Sequence, residues 1–330
     1  MHYRTLGKTG LAVSEIGFGA WGIGGSYWGK TDDAESLKAL RAAFEGGVTF
    51  FDTAYVYGDG RSERLIAQAL AGAGKKAAVA TKIPPLNMRW PADPKTPLSE
   101  AFPPDWITLA TERSLKNLDT DCIDLQQFHV WTDAWLKDPL WDKTFETLLR
   151  LKSAGKIRFW GVSINDHAPN SAVELAASGA ADSVQVIFNL FDQSPEEKLL
   201  PLCREKGVGV IARCPFDEGS LAGLLSPATR FEPGDFRADY FAGARLSETL
   251  ERVGRLKSAL LENGSKNGTM AQAALKFCLS HAAVGTVIPG MRKTAHVAEN
   301  IGSSDGRAFA PDALATLRRH AWSRNFYQPG

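Results

Sequence analysis

Residues 50–70 read FFDTAYVYGDGRSERLIAQAL, and two kinds of local structure meet in them. Val48–Asp52 is a short β-branched and aromatic run of the length and composition of a buried strand. Gly58-Asp59-Gly60 then interrupts the chain, and helix-forming sequence opens at Ser62 with Arg64 behind it. A strand, a glycine-bearing loop and a helix in immediate succession make one βα unit. Asp52 stands at the end of its strand and Tyr57 on the loop that follows.

Working outward, seven further runs have the same character: Glu15–Gly19, Ala77–Thr81, Ile123–Phe128, Arg158–Val162, Ser183–Ile187, Val208–Ala212 and Gly285–Pro289. Segments of helical period are expected at about 33–45, 62–72, 105–118, 142–154, 170–178, 196–206, 270–281 and 294–302. Asp33 is positioned to cap the first and Gly46-Gly47 to end it, while Ser194-Pro195-Glu196-Glu197 reads as an N-cap, an N1 proline and an acidic first turn. Eight stacked βα units imply an α/β protein with a parallel sheet. On this evidence alone the sheet is either a closed (β/α)8 TIM barrel or an open doubly wound sheet.

Other segments fall outside this rhythm. Residues 2–14 read as an N-terminal β-hairpin about Gly7–Gly10, and residues 84–104 as a proline-rich loop. Residues 213–268, after the seventh strand, insert a loop and an extra helix near 246–263. The tail past 311 adds a C-terminal helix and ends in Trp322, Phe326 and Tyr327. No linker divides the chain, so residues 1–330 are read as one domain.

With 38 basic and 37 acidic side chains, a net charge of +1 and no charge blocks, the chain lacks the electrostatic footprint of a nucleic-acid or membrane-surface binder. A small-molecule partner is expected instead. Cys122, Cys203, Cys214 and Cys278 form no CxxC pair, which argues against a disulfide framework or a zinc site and fits a reducing cytoplasm. The N-terminus has no apolar signal region, and no run approaches the roughly 18 apolar residues of a membrane span. The oligomeric state is open, with a monomer as the default expectation.

Gly17-Phe18-Gly19-Ala20-Trp21-Gly22 satisfies GxGxxG directly after a strand. A Rossmann site needs a helix to open at once, because the pyrophosphate sits on that helix N-terminus. Here glycine-rich sequence continues, and helix formers begin only near Asp33. The glycines read instead as a loop along which a ligand approaches the backbone at Gly19, Ala20 and Trp21.

AVATKI puts Lys82 just past the third strand and DLQQFHV puts His129 just past the fourth. With Asp52 and Tyr57 they share one C-terminal rim, where βα barrels assemble their active sites. Taken singly, each has an ordinary structural reading: a turn cap, a half-buried aromatic, a solvated strand end, a core histidine.

FDTAYVYG with SERLIAQAL, TKI, DLQQFH, GVS and VIPG…AEN, in that order and spacing, resembles the aldo-keto reductase superfamily from Arg4 to about Gly302. The resemblance implies a (β/α)8 barrel that uses NADPH without a Rossmann motif, and a catalytic set of Asp52, Tyr57, Lys82 and His129. The chemistry agrees. Carbonyl reduction needs a hydride at carbon and a positioned acid at oxygen. A lysine charge about 4 Å from a tyrosine, worth roughly 4 kcal/mol at an effective dielectric near 20, favours tyrosinate by about three pKa units and would bring Tyr57 towards neutrality. Asp52 holds Lys82 charged and reduces that net effect, and His129 donates to the substrate oxygen.

The resemblance also implies cofactor contacts. Ser163, Asn165 and Gln185 correspond to the nicotinamide carboxamide ligands, although Asn165 lies one position late. Arg213 stands where many relatives carry an aromatic beneath the nicotinamide, and a guanidinium plane can stack there. Cys214, Pro215, Phe216, Gly219, Ser220, Leu221 and Gly223 resemble the pyrophosphate-covering loop. In IPGMRKTAHVAEN, Gly290 and Met291 would approach the phosphates, Arg292 would pair with a 2′-phosphate helped by His296, and Glu299 and Asn300 would take the adenine side. Trp21, Trp90 and Trp131, with the tail aromatics, are expected at an apolar substrate mouth around Tyr57 and His129. The expected function is NADPH-dependent reduction of aldehydes or ketones. The alternatives are a cofactor-binding regulatory subunit similar to the potassium-channel beta subunits, or an NADP-dependent sugar or alcohol dehydrogenase.

Overall fold

Alternation within each strand sorts its side chains between the inside of a cylinder and a surrounding helix layer. The computed structural model describes residues 1–25, 27–72, 76–262 and 268–327. After an antiparallel hairpin, β1 (Tyr3–Thr5) and β2 (Ala12–Ser14), come the eight expected strands: β3 (Phe18–Gly19), β4 (Phe50–Asp52), β5 (Ala78–Ile83), β6 (Ile123–Phe128), β7 (Ile157–Ser163), β8 (Ser183–Ile187), β9 (Gly209–Arg213) and β10 (Val284–Val287). They pair in parallel from β3 to β10 in chain order. Parallel bridges Ile16–Val287 and Gly19–Gly290 join the two ends, with Gly17 N donating to Val287 O at 2.8 Å and Gly19 N to Pro289 O at 3.0 Å. The sheet is therefore a barrel, and the open-sheet alternative falls.

Inward-facing Phe50, Ala80, Leu125 and Ile211 meet Leu6, Leu11 and Val13 of the hairpin in one inner core. The hairpin thus plugs the N-terminal end of the barrel. A Cβ on Gly209 would lie 2.7 Å from Leu6 Cγ, so a glycine at the start of β9 makes room for the plug. Outward-facing Phe51, Phe128, Trp160, Val162 and Val184 pack beneath the helices, each large apolar side chain contributing about 1.5–3 kcal/mol on burial. With its lower end filled, the barrel has room for polar chemistry only at the C-terminal rim.

The helices are α1 (Asp33–Glu45), α2 (Arg61–Leu70), α3 (Leu98–Ala101), α4 (Pro104–Leu118), α5 (Trp141–Ser153), α6 (Val173–Ser178), α7 (Leu199–Lys206), α8 (Arg237–Tyr240), α9 (Arg245–Glu262), α10 (Met270–Leu279), α11 (Thr294–Ile301) and α12 (Pro311–Arg318). Asp32, one residue before the expected cap, accepts from Glu35 N and opens α1. Left-handed Gly60 precedes α2, and Ser62 lies within it, buried. The helices expected at 170–178 and 196–206 begin as 3-10 turns over Pro169–Ala172 and Ser194–Glu196. The extra helix after β9 forms as α9, and residue 263 of its expected span lies outside the described residues. No described helix is long and apolar enough to cross a membrane.

Candidate active site

The same alternation that fills the barrel with Phe50, Ala80 and Leu125 sets Asp52, Lys82 and Gln127 two residues further along their strands, at the rim. Lys82 is fully buried. Its Nζ donates to Asp52 Oδ1 at 2.5 Å and to Thr53 O at 2.7 Å, which engages two of its three protons. The third is available towards Tyr57, whose ring centroid is 5.2 Å from Nζ. Asp52 Oδ2 accepts from Gln185 Nε2 at 2.8 Å and from Gln127 Nε2 at 3.3 Å. Three donors therefore hold one buried carboxylate, which orients the lysine above the apolar plug.

Tyr57 is set by its own loop. Thr53 Oγ1 donates to Ser62 Oγ at 2.8 Å, which donates to Ala20 O at 3.0 Å, tying the end of β4, the start of α2 and the glycine loop together. Tyr57 N donates to Ala54 O at 3.0 Å. Gly58 has a φ of +67°, and a Cβ there would sit 2.2 Å from Gly24 O, so this turn beside Tyr57 requires glycine. The Tyr57 ring stacks at 6.1 Å on Trp21 and meets His129 edge-on at 5.6 Å, and Trp90 meets His129 at 5.8 Å. The four side chains expected to act together are brought together.

Burial raises the Tyr57 phenol well above its ordinary value, and the Asp52 charge adds to this while Arg213 opposes it. The expectation that Lys82 would bring Tyr57 towards neutrality is thus reversed. Lys82 is neutralised by Asp52 at contact distance, so desolvation of the phenolate wins. Burial also lowers Lys82, with Asp52 pulling it back up. His129 is driven well below its ordinary value by burial, then by Lys82 and Arg213. With these shifts the site presents a neutral phenol and a neutral imidazole.

Above these groups opens a cavity of about 760 Å3, in the upper part of the range of about 300–1,000 Å3 usual for small-molecule sites. Gly19, Ala20, Trp21, Ser163, Gln185 and Trp90 line it, as do Gly290, Arg292, His296, Glu299 and Asn300 on the side of β10 and α11. A side chain on Gly290 would meet nothing within 4 Å, so this backbone faces open space. The residues fit a dinucleotide. Nδ1 of His129, Nε of Arg213 and Nδ2 of Asn300 are buried and find no partner among the described residues, leaving hydrogen-bonding groups for an elongated polar ligand.

Several expected contacts are placed differently. Trp131 is fully buried in the helix layer, its ring against Trp135 and Trp141 and its Nε1 donating to Asp133 Oδ1 at 3.0 Å, so it does not reach the substrate mouth. Met291 and Leu221 point into the core, Ser220 Oγ donates to Asp217 Oδ2 at 2.7 Å, and Gly223 packs against Met270. These four stand behind the cavity wall, whereas Cys214, Pro215, Phe216 and Gly219 form it. Asn165 lines the cavity, but its amide is paired at both ends with Ala92, at 2.9 and 3.0 Å. It fastens the proline-rich loop to the end of β7. Arg213 donates to Asp166 Oδ1 at 2.7 Å and Ile164 O at 3.0 Å. Burial works against its charge, but Asp166, with Cys214 and Tyr327, more than offsets this.

Sequence reasoning missed Gln127, although strand alternation places it inward beside Lys82. It also missed Arg237. Both Arg237 and Arg292 lie over the Trp28 ring, at 4.7 and 5.7 Å, and line the cavity. Asp235 forks onto Arg237, whereas Arg292 donates to Trp28 O at 2.9 Å, and burial followed by Arg237 pushes it below the ordinary arginine value. Asp235 is taken up by Arg237, so Arg292 lines the cavity with no carboxylate hydrogen-bonded to it among the described residues, which suits an anion. No local pattern in the insert after β9 marks Arg237.

The aldo/keto reductase family profile matches residues 15–321, and the chain belongs to that family. It is 32% identical over 301 residues to the aldo-keto reductase YhdN of Bacillus subtilis, covering 89% of this chain and 86% of the relative. Among solved structures it superposes on the glycerol dehydrogenase AKR11B4 from Gluconobacter oxydans with a TM-score of 0.77, at 26% identity over 96% of this chain and 94% of that one. An aldo-keto reductase from Klebsiella pneumoniae solved in complex with NADPH gives a TM-score of 0.71 at 25% identity, covering 99% and 98%. The chain is accordingly an oxidoreductase of the carbonyl-reducing class.

Proposed function

We propose that the protein is a cytoplasmic, NADPH-dependent reductase of small aldehydes or ketones carrying an apolar, aromatic body. The observation that carries this reading is the buried Lys82–Asp52 pair beneath Tyr57, with His129 on the same rim. NADPH, when bound, supplies the hydride that adds to the carbonyl carbon. Ser163 and Gln185 would hold its nicotinamide side, Arg292 with Arg237 the 2′-phosphate and Asn300 the adenine side. Neutral His129 orients the carbonyl by donating a hydrogen bond to its oxygen. Tyr57 then passes its phenolic proton to that oxygen as negative charge develops on it. Because an alkoxide is a much stronger base than a phenolate, a tyrosine above its ordinary pKa still gives up its proton in this step. Lys82 steadies the tyrosinate left behind, and Asp52 keeps the buried lysine charged.

The substrate class follows from the mouth. Trp21 and Trp90 flank the Tyr57–His129 pair, and exposed Tyr27, Met88 and Leu224 border the same cavity. An apolar rim around a few convergent polar groups favours aromatic carbonyls over polyhydroxylated sugars. The test is oxidation of NADPH and NADH by the purified protein with a panel of aromatic, aliphatic and sugar-derived aldehydes and ketones. Turnover with NADPH, fastest on the aromatic members, is expected. Tight NADPH binding with no turnover across the panel would contradict the reading and point to a regulatory role.

A further inference from the structure

The loop after β9 holds an unusual run of backbone. Cys214, Asp217 and Glu218 have φ of 50°, 46° and 56°, and Gly219 follows at 102°. Cysteine and glutamate keep this left-handed conformation only where their surroundings impose it, while aspartate adopts it more readily. Much of what imposes it here comes from the C-terminal tail, more than a hundred residues away. Arg324 and Tyr240 donate to Asp217 Oδ1, and Tyr327 donates its phenolic proton to Glu218 Oε1. The Tyr327 hydroxyl also lies 3.8 Å from Cys214 Sγ.

The tail is itself anchored. Trp322 N donates to Phe191 O at 2.8 Å, the Arg324 guanidinium lies 4.2 Å over the Trp322 ring, and Arg245 Nη1 donates to Phe326 O at 3.1 Å. Tyr327 packs at 5.0 Å on Tyr240. Glu218, Gly219 and Tyr327 line the cavity together, so the end of the tail and the strained loop form one piece of its wall. Burial pushes the Glu218 carboxyl up to about 7, so this contact lies in a strongly desolvated place where a lost partner is felt.

We infer that Tyr327 and Arg324 are positioning residues for the cofactor: through Glu218 and Asp217 they fasten the left-handed loop 214–219 against the cavity, and so set how fast the pyridine dinucleotide is released. This rests on the reading that the cavity holds NADPH. The tail aromatics, expected from sequence at a substrate mouth, would then act on cofactor retention. The loop's conformation supplies the reason: it is disfavoured by itself, so it relaxes when its distant partners are removed.

The experiment compares wild type, Tyr327→Phe and Arg324→Gln. Tyr327→Phe keeps the ring packing and removes only the donor. NADPH affinity and dissociation rate are read from the change in NADPH fluorescence in a stopped-flow instrument. Amide hydrogen exchange over 214–223 is read in the protein without cofactor. A faster release and weaker affinity, on the order of tenfold for Tyr327→Phe, with faster exchange confined to that loop, is the expected result. Restoration of slow release in the Glu218→Gln background, which keeps an acceptor, relative to Glu218→Ala would identify the hydrogen bond as the agent. Unchanged release and exchange in both tail variants would overturn the inference and leave the cofactor reading intact. Absence of NADPH binding by the wild type would overturn both.

Discussion

The two walls of the cavity are built on different principles. On the strand wall, Asp52, Lys82, Gln127 and Gln185 reach the rim by the two-residue alternation of paired strands, and their polar groups satisfy one another within a few ångströms. On the loop wall, Glu218 and Tyr327 lie on irregular segments and Arg237 opens the short helix α8, and their contacts join residues far apart in the chain. The barrel fixes the first wall, so it suits chemistry that needs unvarying geometry. The second is held by tertiary contacts that can be lost one at a time, which suits the taking up and release of a ligand.

The largest effect should come from Lys82→Met. It leaves the buried Asp52 carboxylate without its cation and should destabilise the fold by about 3–5 kcal/mol, measured by denaturant unfolding, as well as abolishing most turnover. A loss below about 1 kcal/mol, the scale of a surface pair, would mean that the strand wall is not held by this contact. Arg292→Ala removes a charge-assisted contact on the loop wall and should raise the NADPH dissociation constant roughly ten- to a hundredfold, with little change for NADH. Equal changes for the two cofactors would remove its phosphate role and blur the contrast between the walls.

The smallest effect is spectroscopic. Burial and Asp52 favour the neutral phenol of Tyr57, so in the cofactor-free protein its tyrosinate absorbance, taken against Tyr57→Phe, should appear only above pH 10. The folded protein then keeps a proton that the unfolded chain loses, so this residue makes stability fall as pH rises past 10. Ionisation close to neutral pH would show instead that the Lys82 charge outweighs burial.

The contrast also explains what could be read in the sequence. Strand alternation and the motif around residues 50–70 carry Asp52, Tyr57, Lys82 and His129 to one rim, because a strand's phase is a local property. Gln127 obeys the same phase two residues before His129, but a glutamine in a strand has no signal that separates a supporting donor from a core residue. Loop aromatics offer no phase. Trp90 turns to the cavity and Trp131 into the helix layer, where Trp135 and Trp141 make room for it. Asn165 was legible as a polar residue at a strand end, but its pairing with Ala92 depends on a loop 73 positions away. The Tyr57 pKa was misjudged for a related reason. That Asp52 tempers the lysine charge is visible in the sequence, whereas the burial that does most to raise the Tyr57 phenol is a tertiary fact.

The most direct test of the account is Tyr57→Phe, assayed for NADPH oxidation with an aromatic aldehyde and, separately, for NADPH binding. Turnover is expected to fall by about 10²–10⁴-fold with cofactor affinity nearly intact. Turnover at the wild-type rate would contradict Tyr57 as the proton donor on which the proposed mechanism depends.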